Sequence, residues 1–168
     1  CFVMTHIMKG VLERGTAQNA KIPGLEAAGK TGTTNDNTDA WFIGYTSSVV
    51  CGVWVGFDDK TCIGNGMTGG RVSAPVWRDF FKKIISAGKI EPPTFFPVPK
   101  GVVLAGIDPT TGMLAAEGGG EGGSFVEAFL AGTEPKQTYQ AASGTTAPTE
   151  EKTTPRISDI KTDTSEGF

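Results

Sequence analysis

Residues 28–57, AGKTGTTNDNTDAWFIGYTSSVVCGVWVGF, decide the fold of this chain. Small and β-branched residues come first, and two runs rich in aromatic residues and valine follow them. Because such residues favour an extended backbone, we predict three strands, which cover residues 25–34, 39–46 and 47–57. The connections between these runs, at residues 35–37 and 47–48, are short and polar. Neighbouring strands should therefore pair antiparallel as hairpins rather than through βαβ crossovers.

Two amphipathic patterns flank the strands. Apolar residues at spacings of three and four predict a helix over residues 2–13 that ends at Gly15. A second helix should start at Ser73, with Pro75 in its first turn, and end at Gly88. The apolar positions of this second pattern are Val76, Trp77, Phe80, Phe81, Ile84 and Ile85. An antiparallel sheet flanked by helices is an α+β fold.

The chain divides into three parts by composition. Residues 1–90 hold the predicted sheet and helices, and residues 91–135 hold a proline-rich linker and a small β extension. In this extension, residues 102–104 and 113–115 should form a hairpin around turn residues 108–112, before a short segment at 125–130. Residues 136–168 have almost no large apolar side chains, so we expect a disordered tail there.

Charge and composition disfavour several functional classes. The 168 residues include 15 Lys and Arg against 18 Asp and Glu, a formal net charge of −3. Without a basic surplus, we expect no nucleic-acid binding. The longest apolar stretch, residues 49–57, is about half of what a membrane-spanning helix needs. The 3 cysteines form no CxxC or Cys/His pair, so we expect neither a disulfide framework nor a metal site.

Several residues with reactive or aromatic side chains are expected to be structural. His6 is the only histidine in the sequence and lies inside the first predicted helix. Asp58 and Asp59 are adjacent, and adjacent strand residues point to opposite faces, so they should not serve one centre. The tryptophans lie in apolar runs and should pack in the core. They are Trp41, Trp54 and Trp77.

Residues 24–31, GLEAAGKT, satisfy the phosphate-binding pattern G-x4-G-K-[ST]. Such a loop must follow a buried parallel strand and open a helix. Here residues 17–23 are polar and interrupted, and residues 32–37, GTTNDN, disfavour a helix. A nucleotide-binding fragment is therefore an alternative that the local context disfavours.

The same lysine also begins a second motif, Lys30-Thr31-Gly32-Thr33, which contains the K-T-G element of penicillin-binding proteins and class A β-lactamases. The run AGKTGTTNDNTDAWFIGYTSSVVCGVWVGFDD and the later GMTGGRVSAPVWRDFF extend the likeness. Together they resemble the transpeptidase domain of class A, bifunctional penicillin-binding proteins, over roughly residues 2–135. The resemblance implies part of a penicillin-binding/β-lactamase-like fold.

The resemblance also implies roles for four residues. Lys30 would place a positive charge beside a serine nucleophile and the substrate carboxylate. Thr31 and Thr33 would offer hydroxyls to that carboxylate, and the Thr33 backbone N–H would form half of the oxyanion hole. Gly32 would let an extended peptide approach the strand edge. Lys30 and Thr33 are thus the candidate catalytic residues, and Thr31, Gly32 and Thr33 the candidate substrate-binding residues.

The family pattern also requires S-x-x-K and S-x-N elements before K-T-G, and neither precedes Lys30 in this sequence. Two S-x-x-K strings occur later, at Ser86 and Ser158, in the wrong order and context. We interpret both as chance matches. The chain also opens without an initiator methionine, so we expect it to be processed or to be a piece of something longer. The chain by itself is expected to be inactive.

The implied activity of the parent protein is that of a serine-type D,D-transpeptidase that also has a glycosyltransferase part. Its partners would be peptidoglycan stem peptides ending in D-Ala-D-Ala and β-lactams, with no cofactor, metal or nucleotide. It would lie on the outer, periplasmic face of the cytoplasmic membrane, attached by an N-terminal helix that this sequence lacks. A non-catalytic cell-wall-binding module with the same fold is a further alternative.

Overall fold

The computed structural model describes residues 1–116 and 123–139. Their helices are α1 (Phe2–Glu13) and α2 (Gly69–Ser86), with a short 3-10 turn at Gln18–Ala20. Their strands are β1 (Ala28–Thr33), β2 (Asp39–Tyr45), β3 (Val50–Gly56), β4 (Val102–Ile107) and β5 (Phe125–Leu130). The predicted α+β class is confirmed.

The first three strands form an antiparallel sheet in the order β1-β2-β3, as the short polar connections predicted. Each strand is shorter than predicted, since the flanking residues turn. In β2, Ala40 and Phe42 are buried while Trp41 and Ile43 are exposed, the alternation expected of a strand with one covered face. The buried face of this sheet, which includes Phe42, is called the α2 face. The opposite face, which includes Lys30 and Trp54, is called the Trp41 face.

Helix α2 covers the α2 face of the sheet and builds the core there. The Trp77 ring stacks on Phe81 with 3.9 Å between centroids and meets the edge of Phe42 at 5.5 Å. The Trp77 indole N–H donates to the Gly44 carbonyl at 3.1 Å, so its one polar atom is satisfied inside the core. Ser73 likewise donates its hydroxyl to the Ala40 carbonyl at 2.8 Å. Apolar contact and buried hydrogen bonds therefore fix the same orientation of α2.

The start of α2 differs from the prediction. The helix begins at Gly69 rather than Ser73, and Pro75 lies within it rather than in its first turn. A Cβ at Gly69 would lie 2.1 Å from the Trp41 carbonyl oxygen and 2.6 Å from that of Gly32. Close approach of the helix to the strand backbone thus requires glycine there, although the low helix propensity of glycine favours a later start of the helix.

The expectation for the tryptophans is correct only for Trp77, which is fully buried. Trp41 and Trp54 are 44% and 41% exposed. They are partners across β2 and β3, with 6.3 Å between ring centroids, on the Trp41 face. Neither helix covers this pair, because alternation along the strands turns it away from α2.

Helix α1 has the predicted bounds and lies between β1 and the C-terminal strands. Leu12 is buried in the core, whereas Met4 and Ile7 from the same apolar pattern are exposed. His6 is structural in this arrangement, since its Nε2 donates to the Val126 carbonyl at 2.8 Å. Within residues 1–116 and 123–139, no helix combines the length and apolar character that crossing a membrane requires.

The C-terminal strands correct the predicted hairpin. Strand β4 pairs antiparallel with β5, the short segment at 125–130, and not mainly with residues 113–115. Those residues turn back along the other edge of β4, where Leu114 bridges Ile107. There the Asp108 N–H donates to the Met113 carbonyl and the Ala115 N–H donates to the Gly106 carbonyl, both at 2.9 Å. Residues 137–139 of the predicted tail bond to Leu114, and the tail from residue 140 onward lies outside the described residues.

Candidate active site

The K-T-G residues lie in β1, at the edge of the three-stranded sheet. Lys30 and Thr31 belong to this strand, so the helix that a phosphate-binding loop would open is not formed there. In the described part of the chain, β1 pairs with β2 alone. The other side of β1, which we call the open edge, is left without a strand partner.

Backbone groups of the two threonines point to the open edge. The Thr34 N–H donates to the Asp39 carbonyl of β2 at 3.1 Å, which makes these two a hydrogen-bonded pair. Hydrogen-bonded and non-bonded pairs alternate along antiparallel strands. Thr33 and Thr31 therefore direct their N–H and C=O groups away from β2. The strand offers the donors and acceptors that an extended peptide needs in order to add to a sheet.

The Lys30 ammonium lies over this same edge. Its side chain is exposed on the Trp41 face, and Nζ donates to the Thr31 carbonyl at 2.7 Å. Among the described residues, Lys30 forms no ion pair with a carboxylate. A cation bound only to a carbonyl remains available to an anionic group that approaches along β1.

The threonine side chains lie on the opposite face from Lys30. The Thr31 hydroxyl is 2.8 Å from that of Thr16, and the Thr33 hydroxyl accepts the Gly69 N–H at 3.1 Å. A hydroxyl that accepts one hydrogen bond keeps its own proton for donation. The structure thus brings the Lys30 ammonium and the Thr33 N–H to one edge. The two hydroxyls also bond β1 to Thr16 and to Gly69 of α2.

Gly32 is required by its neighbour on β2. The two residues Gly32 and Trp41 are directly paired, and a Cβ at Gly32 would lie 3.3 Å from the Trp41 Cβ. Such a contact is tight enough that Trp41 would have to move. The absence of a side chain at Gly32 therefore preserves both the flat Trp41 face and access to the strand.

Asp39 organises the turn that follows β1. Its carboxylate accepts hydrogen bonds from the Trp54 indole N–H at 2.9 Å and from the Thr38 hydroxyl at 2.8 Å. These bonds, the first of them most strongly, lower the pKa of Asp39 below its ordinary value. The Asp39 N–H also donates to the Thr34 hydroxyl at 2.9 Å. The side chain and the backbone of Asp39 therefore both hold the turn between β1 and β2.

The other sequence candidates that the structure describes lie on elements other than β1. Ser86 lies in the last turn of α2 and donates its hydroxyl to the Lys82 carbonyl at 2.9 Å. Ser158 lies outside the described residues. Asp58 and Asp59 are exposed in the loop after β3. We made no prediction from the sequence for Thr16 or Gly69, which bond the Thr31 and Thr33 hydroxyls. Of these, only Gly69, next to Gly70, carried a signal, as a site of close backbone approach.

The comparisons with known proteins agree on one protein family. The family model described as penicillin binding protein transpeptidase domain matches residues 2–86. Penicillin-binding protein 1A of Rickettsia bellii is 41% identical over 128 residues, which is 76% of this chain and 15% of the relative. Penicillin-binding protein 1A of Pseudomonas aeruginosa is 40% identical over 129 residues, again 76% of this chain and 15% of the relative.

A solved structure shows the same likeness. The crystal structure of penicillin-binding protein 1A from Haemophilus influenzae has a TM-score of 0.66 to this fold, with 30% sequence identity. The match covers 83% of this chain and 21% of that chain, so the likeness concerns a small part of a longer protein. The family match, the curated relatives and the fold agree, and this chain belongs to the penicillin-binding protein transpeptidase domain family.

Proposed function

We propose that this chain supplies the K-T-G edge of a peptidoglycan D,D-transpeptidase whose serine nucleophile lies in a preceding segment. The observation that supports the proposal most directly is the open edge of β1, where the Lys30 ammonium and the Thr33 N–H meet. In this reaction a serine attacks the D-Ala-D-Ala bond of a stem peptide and D-alanine leaves. The acyl group then passes to the amine of a neighbouring stem, and β-lactams acylate the same serine.

Each residue of the edge has a role in that reaction. The stem peptide adds to β1 through the backbone groups of Thr31 and Thr33. The Thr33 N–H donates to the oxyanion of the tetrahedral intermediate, and the Lys30 ammonium stabilises the nearby anions. The Thr33 hydroxyl accepts the Gly69 N–H and keeps its proton for the substrate carboxylate, and the Thr31 hydroxyl lies on the same face of β1. Gly32 keeps the approach clear. The parent protein, which also has a glycosyltransferase part, acts on the outer face of the cytoplasmic membrane.

The test uses the full-length parent protein and a labelled penicillin. We expect Lys30→Ala to lower the acylation rate on the order of 10²-fold, because one preorganised charge is lost from the transition state. The melting temperature should hardly change, since the Lys30 side chain is exposed. An acylation rate near that of the parent would show that Lys30 is an ordinary edge residue.

Thr33 needs a matched pair of variants, because its hydroxyl also holds the first residue of α2. Thr33→Val removes the hydroxyl but keeps the backbone N–H, and Thr33→Ser keeps both. We expect Thr33→Val to lose rate mainly with carboxylate-bearing substrates, and Thr33→Ser to restore it. If an analogue without the carboxylate suffers the same loss, the hydroxyl acts only through the position of α2.

A further inference from the structure

Strand β1 enters the sheet from a segment without regular secondary structure. Residues 22–25 form a turn closed by the Leu25 N–H and the Ile22 carbonyl at 3.1 Å, and β1 begins three residues later at Ala28. Between this turn and the strand lie Glu26 and Ala27. Because β1 is an edge strand, its position here depends on whatever holds this short entrance.

The entrance is bonded to residues 92–96, which we call the strap. The Thr94 N–H donates to the Gly24 carbonyl at 3.2 Å, and Leu25 and Thr94 form a parallel bridge. The Thr94 hydroxyl accepts the Glu26 N–H at 2.9 Å and donates to the Glu26 carbonyl at 3.1 Å. Glu26 lies outside the strands, so the Thr94 hydroxyl rather than a neighbouring strand satisfies its backbone N–H and C=O.

The Glu26 carboxylate completes the attachment. One oxygen accepts the Phe96 N–H at 2.5 Å, and the other accepts a hydrogen bond from the Lys9 ammonium on α1. The Lys9 and Glu26 side chains are only 17% and 24% exposed, so solvent screens their attraction less than at an open surface. The Phe96 ring also meets the edge of Tyr45, which pairs with Ala28, at 5.7 Å. Glu26 thus joins α1 and the strap at the point where β1 begins.

The two ends of β1 are held while its open edge stays free. At one end the Gly69 N–H donates to the Thr33 hydroxyl, and at the other the strap and Lys9 hold Glu26. Lys30 lies four positions after Glu26 along an extended backbone, so a shift of the entrance moves the ammonium and the oxyanion donor together. Misplacement of a catalytic group by about 1 Å can lower a rate by about 10²-fold.

We propose that Glu26 and Thr94 are positioning residues for the K-T-G strand, and that the strap is a working part of the transpeptidase unit although it follows the family match at residues 2–86. The inference rests on the proposed function of Lys30 and Thr33. It assigns no contact with substrate to Glu26 or Thr94, which act through β1. The proline-rich segment is then more than a connection to the C-terminal strands.

The test measures the limiting acylation rate and the half-saturating concentration of a labelled penicillin in the full-length parent. All variants are compared well below their melting temperatures. We expect Thr94→Val to lower the limiting rate about tenfold, and Thr94→Ser to restore it to within about twofold of the parent. Glu26→Ala should lower the rate at least as much. The half-saturating concentration should change less than the rate, because binding tolerates a small shift of β1 that the geometry of the acylation step does not tolerate.

The matched control is Glu127→Gln. Glu127 also bonds a cation, here Arg14 at the C-terminal end of α1. We expect it to leave the rate within about twofold, because Glu127 does not touch the entrance to β1. A lower melting temperature with an unchanged limiting rate in both Thr94→Val and Glu26→Ala would overturn the proposal. So would equal losses in Thr94→Val and Thr94→Ser.

Lys30→Ala in the same assay separates the two proposals. A large loss in Lys30→Ala with parental rates in the Glu26 and Thr94 variants overturns the positioning role alone. A parental rate in Lys30→Ala overturns the proposed site. If Glu26→Ala does not fold, the Thr94→Val and Thr94→Ser pair decides, because Thr94→Val replaces the hydroxyl with a methyl group of similar size and Thr94→Ser keeps the hydroxyl.

Discussion

The two sheets in the described part of the chain are stabilised in different ways. The β1–β3 sheet has one face covered by α2, with Trp77, Phe81 and Phe42 fully buried between them. The β4–β5 sheet buries Ile107 and Ala128, which lie outside that core cluster, and it bonds to α1 through the His6–Val126 hydrogen bond and the Arg14–Glu127 ion pair at 2.7 Å. Its outer side chains Leu104, Val126 and Leu130 are exposed. Burial of apolar area stabilises far more than exposed ion pairs do, so unfolding should begin at β4–β5.

The largest effect should come from the core between α2 and the first sheet. We expect Trp77→Ala to lower the free energy of unfolding by about 4 kcal/mol, because it leaves a cavity between Phe42 and Phe81. Trp54→Ala is the matched control on the exposed face, with an expected cost of about 1 kcal/mol. Urea denaturation followed by circular dichroism measures both. Similar costs for the two variants would contradict the one-sided burial of this sheet.

The next largest effect should come from the close approach of Gly69 to the backbone of the first sheet. Gly69→Ala should cost about 3 kcal/mol, because its Cβ would collide with the Trp41 and Gly32 carbonyls. In the second sheet, a Cβ at Gly106 would lie 3.8 Å from that of Ala115, an ordinary contact. Gly106→Ala should therefore change stability by less than about 0.5 kcal/mol. The two midpoints of urea unfolding test this, and equal shifts would show that α2 can move off the sheet at little cost.

The attachment of the second sheet should be weak and local. The Arg14 guanidinium bonds Glu127 and lies 4.6 Å from the centroid of the Phe125 ring. Arg14→Gln should lower global stability by about 1 kcal/mol or less but speed amide exchange in β5. Hydrogen exchange read by mass spectrometry measures the change. Arg78→Gln on α2 is the control and should leave exchange in β5 unchanged.

The smallest effect concerns acid pH in the turn after β4. The Thr111 backbone N–H, then its hydroxyl, bond the Asp108 carboxylate and lower its pKa. A lowered folded pKa means that this carboxylate stabilises the turn above its unfolded pKa of about 3.9, and that the contribution is lost as the pH falls through the folded pKa. Carboxyl titration by NMR should give a pKa below 3.9, and Asp108→Asn should remove this part of the acid dependence. A titration at or above 3.9 would contradict the bonding of this turn.

The ladder of the first sheet was predictable because it depends on local patterns. Alternation along 39–45 and short polar connections leave antiparallel hairpins as the simplest arrangement. The α1 bounds were predictable for the same reason, since a period of three and four residues and a terminal glycine are local signals. The pairing of β4 with β5 was missed because a closer segment, 113–115, offered a shorter loop and propensity does not rank two possible partners.

The candidate site likewise contains residues that the sequence indicated and residues that it did not. Lys30, Thr31, Gly32 and Thr33 were predicted from the sequence because the motif and its surroundings resemble a known family. The match to that family confirms the resemblance, and the roles of the four residues stay predictions. The supports Glu26, Thr94 and Gly69 were not recognised. Glu26 and Thr94 are 68 positions apart, and a hydrogen bond across such a separation leaves no local pattern.

Propensity, alternation and motif are properties of neighbouring residues, so the sequence indicated where the strands and helices lie, although not where α2 begins, and which short run resembles a catalytic motif. Which face of each strand is covered depends on tertiary packing. Trp41 and Trp77 both lie in apolar runs, yet Trp41 is exposed and Trp77 is buried, because α2 packs on the side of Phe42. The structure also decided that β1 is an edge strand held at both ends, because the groups that hold it come from α1, α2 and the strap.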